Sequence, residues 1–129
     1  MAFDVSGLSH VAIRVTDVAR SRRFYADVLG FPAVFEADDV VLFQVGRSLL
    51  AVRGSAPETA QGDRFDPFRI GLDHLAFAVD DAEQLHEMQR ALDQAGVRNE
   101  GVQDDPPNAK ALVFYDPDGI ALEMYAVAS

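Results

Sequence analysis

Gly7-Leu8-Ser9-His10-Val11-Ala12 is the stretch on which the reading of this chain turns, because it returns as Gly71-Leu72-Asp73-His74-Leu75-Ala76. The offset is 64 residues in a chain of 129. Across 7–17 and 71–81 six of eleven positions are identical, including the histidine and the closing aspartate. A repeat of half the chain length implies two copies of one supersecondary unit, neither able to complete a core alone.

Working outward, each copy opens on alternating β-rich residues. In 8–15, Val11, Ile13 and Val15 share one face and His10, Ala12 and Arg14 the other. Thr16-Asp17 offers a helix N-cap, 18–29 carry apolar residues at helical spacing, and Gly30 is suited to end the helix. Strands are expected at 32–37, 40–45 and 48–53, with turns at Asp38-Asp39 and Gly46-Arg47. The second copy repeats the plan. A strand is expected at 72–79 and a helix over 82–95, capped by Asp80-Asp81, with Leu85, Met88, Leu92 and Ala95 as its apolar stripe. Strands follow at 97–102, 109–115 and 120–127, with a loop at 104–108 and strong turn chemistry in Asp116-Pro117-Asp118-Gly119. The expected class is α+β: two tandem βαβββ units, about 1–53 and 71–129, joined by a polar, turn-rich connector at 54–70 in one domain of 1–129.

The bulk numbers exclude several functions. A net charge of −10 argues against nucleic acid and anionic membrane surfaces, which need basic patches. The absence of cysteine rules out disulfides and thiolate metal sites. No apolar run approaches the ~20 residues of a bilayer span, and the N-terminal residues carry no secretory pattern. The expected location is the cytoplasm.

Three residues stand out chemically. His10 and His74 occupy the same place in the two copies, either as inherited structural residues or as a convergent pair. Glu123 lies between Leu122 and Met124 on an expected core strand, where an acid needs a partner. It either faces solvent from an edge or completes a two-histidine, one-carboxylate set. Such a set leaves metal positions open for substrate and suits Fe(II) or Mn(II), with Zn(II), Ni(II) or Co(II) as further options. Arg14 and Arg53 are candidates to meet an anionic substrate. Tyr115 and Tyr125 are candidates to line the site, by their strand parity with Glu123.

These motifs together resemble the vicinal oxygen chelate superfamily of glyoxalases, bleomycin-resistance proteins and extradiol dioxygenases. The resemblance rests on Gly7–His10, Phe24-Tyr25 leading to Val28–Phe31, Gly71–His74, and Asp116–Gly119 followed by Glu123. It covers essentially the whole chain. It implies paired βαβββ units curled around a cavity, with a metal that holds two neighbouring oxygens of a small molecule, and in many members a homodimer. It agrees with His10, His74 and Glu123 as metal ligands, with Glu123 also catalytic; Arg14, Tyr115 and Tyr125 are the residues expected at the substrate from their strand positions.

The chain also departs from the better-known members. A fourth ligand like that of glyoxalase I would fall at Leu50, within about one residue. Val113 stands where an extradiol dioxygenase carries tyrosine, and Ala12 where fosfomycin-resistance enzymes tend to carry threonine. The expected function is therefore a three-ligand metal enzyme, either a ring-cleaving dioxygenase or a glyoxalase-like lyase or isomerase. The alternative is a metal-free antibiotic-binding protein of the bleomycin-resistance type.

Overall fold

A computed structural model describes residues 2–128. The chain divides into two compact units that meet between Gln61 and Gly62. Each unit carries one four-stranded mixed sheet, with the βαβββ order that the repeat predicts.

In the first unit β1 (His10–Arg14), β2 (Ala33–Ala37), β3 (Val40–Val45) and β4 (Ser48–Arg53) lie in the order β1-β4-β3-β2. β1 runs parallel to β4, and the remaining pairs are antiparallel. The Asp17 side chain accepts a hydrogen bond from the Arg20 amide and so caps α1 (Val18–Arg23). The helix then widens into a π-helical turn over Phe24–Val28. The widening places Phe24 and Tyr25, both buried, into the core. There the Tyr25 ring meets Phe24 edge-on and stacks on Phe31. Gly30, at φ 75°, takes the left-handed conformation that ends the helical segment. Ile13, Val15, Val41, Phe43 and Val52 complete this core.

In the second unit β5 (Leu75–Ala78), β6 (Asn99–Asp105), β7 (Ala109–Tyr115) and β8 (Ala121–Val127) lie in the order β5-β8-β7-β6, again with the first and last strands parallel. α2 (Gln84–Gln94) packs on β6 and β7, burying Leu85 and Leu92. Phe77, Leu112, Phe114, Leu122 and Met124 fill the core beneath it. Neither sheet closes on itself. β1 and β2 are the edges of one, β5 and β6 of the other.

Several boundaries differ from the sequence expectation. β5 begins at Leu75, so His74 precedes the strand. Its first ladder pair is Leu75 with Leu122. α2 starts at Gln84, because the Asp81 carboxylate accepts from the Glu83 amide and holds a turn over Ala82-Glu83 ahead of the helix. Ala95 is exposed and lies outside the apolar stripe. β6 runs through Asp104 and Asp105, which pair with Lys110 and Ala109, where a loop was expected. The segment 54–70 is turns and coil without strand or helix.

Candidate functional site

The site is built on β8. This strand is central, flanked by β5 and β7, so Glu123 is paired on both sides, with Ala76 and with Val113. The possibility that Glu123 faces solvent from a sheet edge is therefore excluded. Its neighbours Leu122 and Met124 point into the core, which turns Glu123 and Tyr125 to the opposite face. The Glu123 side chain is 15% exposed. Burial disfavours its charged form and raises its pKa; the nearby His74 pulls it down and Asp105 pushes it up.

His74 approaches from the segment that leads into β5. Its Nε2 lies 4.0 Å from Glu123 Oε2, too far for a direct hydrogen bond. Its other nitrogen, Nδ1, lies 2.7 Å from the Asp73 carboxylate. A carboxylate on Nδ1 fixes the ring's orientation and tautomer, which is how histidines that bind metals are usually held. His10, in the first unit, repeats this arrangement with a hydroxyl: Ser9 Oγ is 3.0 Å from His10 Nδ1. The oxygen-bearing residue before each histidine, Ser9 or Asp73, is a further candidate that the sequence analysis does not single out. Its signal was present, since both copies place an oxygen side chain there.

The equivalent of Glu123 in the first unit is now fixed by register. Ala76 pairs with Glu123 as Ala12 pairs with Ala51. The matching residue is thus Ala51 rather than Leu50, and neither can bind a metal. Within each unit no three His, Asp or Glu side chains gather into a set able to hold a metal among the described residues. The pair that the fold does bring together is His74 with Glu123. Its donor chemistry suits a divalent cation: an imidazole nitrogen on an oriented ring, beside a carboxylate whose charge burial leaves poorly compensated.

The two tyrosines flank Glu123 on its own face. Tyr125 donates its hydroxyl to Asp105 at 2.6 Å, and Tyr115 donates to Glu100 at 2.8 Å. Both acids lie on β6, and each bond raises the pKa of its phenol. The Arg98 guanidinium sits 3.7 Å from the Tyr115 ring centroid. Beside Tyr125 lies a depression of about 470 Å³ lined by Ala76, Phe77, Ala78, Val79, Asp80 and Val127. Arg14, in the first unit, donates to the Gly54 carbonyl at 2.7 Å and so ties β1 to the start of the following segment. Arg53 is exposed and pairs with Arg14 in register. No helix among the described residues is long and apolar enough to cross a membrane.

Comparison with known proteins agrees with this architecture. The family model described as Glyoxalase/Bleomycin resistance protein/Dioxygenase superfamily matches residues 7–124. The uncharacterized protein YaeR of Escherichia coli (strain K12) is 35% identical over 127 residues, covering 90% of this chain and 92% of its own. The metallothiol transferase FosB of Staphylococcus saprophyticus is 29% identical over 122 residues, covering 94% of this chain and 77% of its own. The crystal structure of a glyoxylase/bleomycin resistance protein/dioxygenase domain from Frankia sp. EAN1pec superposes with a TM-score of 0.83 at 30% identity, covering 97% of this chain and all of that one. With the repeat, the two βαβββ sheets and a family match over nearly its full length, the chain belongs to the glyoxalase/bleomycin resistance protein/dioxygenase superfamily.

Proposed function

We propose that this protein is a divalent-metal enzyme acting on a small molecule with two adjacent oxygens, and that it works as a homodimer. The ligand set is His10, His74 and Glu123. The observation that carries the reading is the His74–Glu123 pair, 4.0 Å apart, with the imidazole oriented by Asp73 from behind. To share one divalent ion the two side chains would need to draw slightly closer than this, which a small side-chain rotation would allow. His10 qualifies by its repeat position and by the matching Ser9 contact. Fe(II) or Mn(II) suits this set best.

A metal held there would supply Lewis acidity to neighbouring substrate oxygens. The chain itself supplies orientation: Asp73 holds His74, and the β-ladder on both sides holds Glu123. Tyr125 borders the apolar depression where the rest of a substrate would lie. The reaction is either ring-cleaving dioxygenation or a lyase or isomerase step. A second reading, metal-free sequestration of a small molecule such as an antibiotic, draws on the same depression and on the net charge of −10, which suits a cationic ligand.

The test is metal content. Protein purified without chelator and loaded separately with Fe(II), Mn(II) and Zn(II) is expected to hold near-stoichiometric metal. Glu123→Ala, His74→Ala and His10→Ala are each expected to lose most of it. Substoichiometric metal in the wild type under all three loadings would favour the sequestration reading. With metal bound, oxygen uptake on catechols against turnover of a thiol–aldehyde adduct separates the two reaction classes.

A further inference from the structure

The acidic partners of the two tyrosines bear on what the site recognises. A phenol has one proton to donate and two lone pairs to accept with, whereas an ionised carboxylate only accepts. Tyr125 spends its proton on Asp105, at 2.6 Å. Toward anything else it is therefore an acceptor. The row beside it has the same character: Glu123 lies two residues back on the same face, and Asp80 is the charged residue lining the adjacent depression. Apart from the His74 imidazole beside Glu123, the basic groups of this unit's sheet lie elsewhere. Arg98 sits on the Tyr115 ring at the other end of the row. Lys110 binds Asp104 at 2.9 Å, and both alternate to the opposite face from Asp105 and Ala109.

We propose that Asp105 is a positioning residue that fixes the polarity of the Tyr125 hydroxyl. The site would then select a small molecule presenting an N–H or O–H donor beside its apolar part, and would disfavour carboxylate, phosphate or phosphonate there. This rests on the site location given above but not on metal binding. It also reverses the expectation, attached to Arg14, of an anionic substrate. In this reading the apolar depression takes the hydrocarbon part of the ligand, and the Tyr125 oxygen takes its donor.

The inference is testable on chelator-treated, metal-free protein with two neutral probes, benzyl alcohol as donor and acetophenone as acceptor only. Binding is followed by NMR at the amides of Ala76, Ala78 and Tyr125. Wild type is expected to prefer benzyl alcohol by about tenfold, the scale of one hydrogen bond to a well-placed acceptor. In Asp105→Ala the carboxylate acceptor is gone and the Tyr125 proton is free to donate, so the preference is expected to vanish or reverse. In Tyr125→Phe it is expected to vanish with Asp105 intact. An unchanged preference in Asp105→Ala, a preference that survives Tyr125→Phe, or no shift at these amides with either probe would overturn the proposal. Neutral probes separate hydrogen-bond polarity from loss of charge. Metal loading of the same Asp105→Ala protein reports independently on the ligand set.

Discussion

The Nδ1 atom of His74 lies 2.7 Å from the carboxylate of Asp73, the residue immediately before it. The carboxylate steadies the ring, so that Nε2 is the nitrogen turned toward Glu123. Removing that charge while keeping the shape is the sharpest test of its role. Asp73→Asn is expected to weaken metal affinity by about 10–100-fold, the usual effect of losing a carboxylate behind a histidine ligand. Asp73 is exposed, so the melting temperature of the metal-free protein is expected to stay nearly unchanged. Competition with a chelator measures the first and thermal unfolding the second.

Glu123 gives a pH dependence of defined sign. Its pKa in the folded chain is raised above the ordinary 4.5, chiefly by burial. The folded state therefore holds this proton to higher pH than the unfolded chain does. Its stabilising contribution is complete below the ordinary value and is lost as pH rises through the raised one. In metal-free protein, Glu123→Gln is expected to gain stability relative to wild type as pH climbs from about 4 toward neutrality. Urea midpoints measured on both proteins across that range check it. A difference that stays flat, or falls, would contradict the assignment.

The turn that returns the chain to β8 depends on Asp116, which is buried at 5% exposure. Its Oδ1 accepts from the amides of Asp118 and Ile120, both at 2.9 Å. Asp116→Ala strands the buried Ile120 amide and is expected to cost about 1–3 kcal/mol. Asp116→Asn keeps an acceptor in place and is expected to recover most of that. Denaturant unfolding of the two variants distinguishes the lost bond from the lost charge.

Leu122 is fully buried on the central strand, one residue before Glu123. Leu122→Ala is expected to destabilise by about 2–5 kcal/mol. Val127→Ala, at an exposed position on the same strand, is expected to change stability by less than about 0.5 kcal/mol. Equal effects from the two would mean that β8 is not packed as described.

What the sequence disclosed, and what it withheld, follows from the range of the forces involved. Alternation along Ala121–Val127 and around His10 is local, and it assigned faces correctly. The 64-residue repeat disclosed the two units, because both copies keep the same strand and helix signals. Strand ends are not local. His74 falls outside β5 because the ladder begins at Leu75 opposite Leu122, a partner 47 residues away. Asp104 and Asp105 read as a loop by composition, since aspartate favours turns. They become strand through Lys110, Ala109 and the Tyr125 hydroxyl. The counterpart of Glu123 could be placed only within a residue until cross-strand register set it at Ala51.

The difference between a paired strand and the segment before it bears on how this site comes apart. Glu123 sits on backbone held from both sides, so it can leave its position only when the second unit's sheet opens as a whole. His74 precedes the first ladder pair, where opening is a local event that costs little. A bound ion would therefore part from His74 by a local swing, with Glu123 fixed. The exchange of His74 on and off the ion would follow the segment 71–74 rather than the stability of the sheet, and mild denaturant would barely change it.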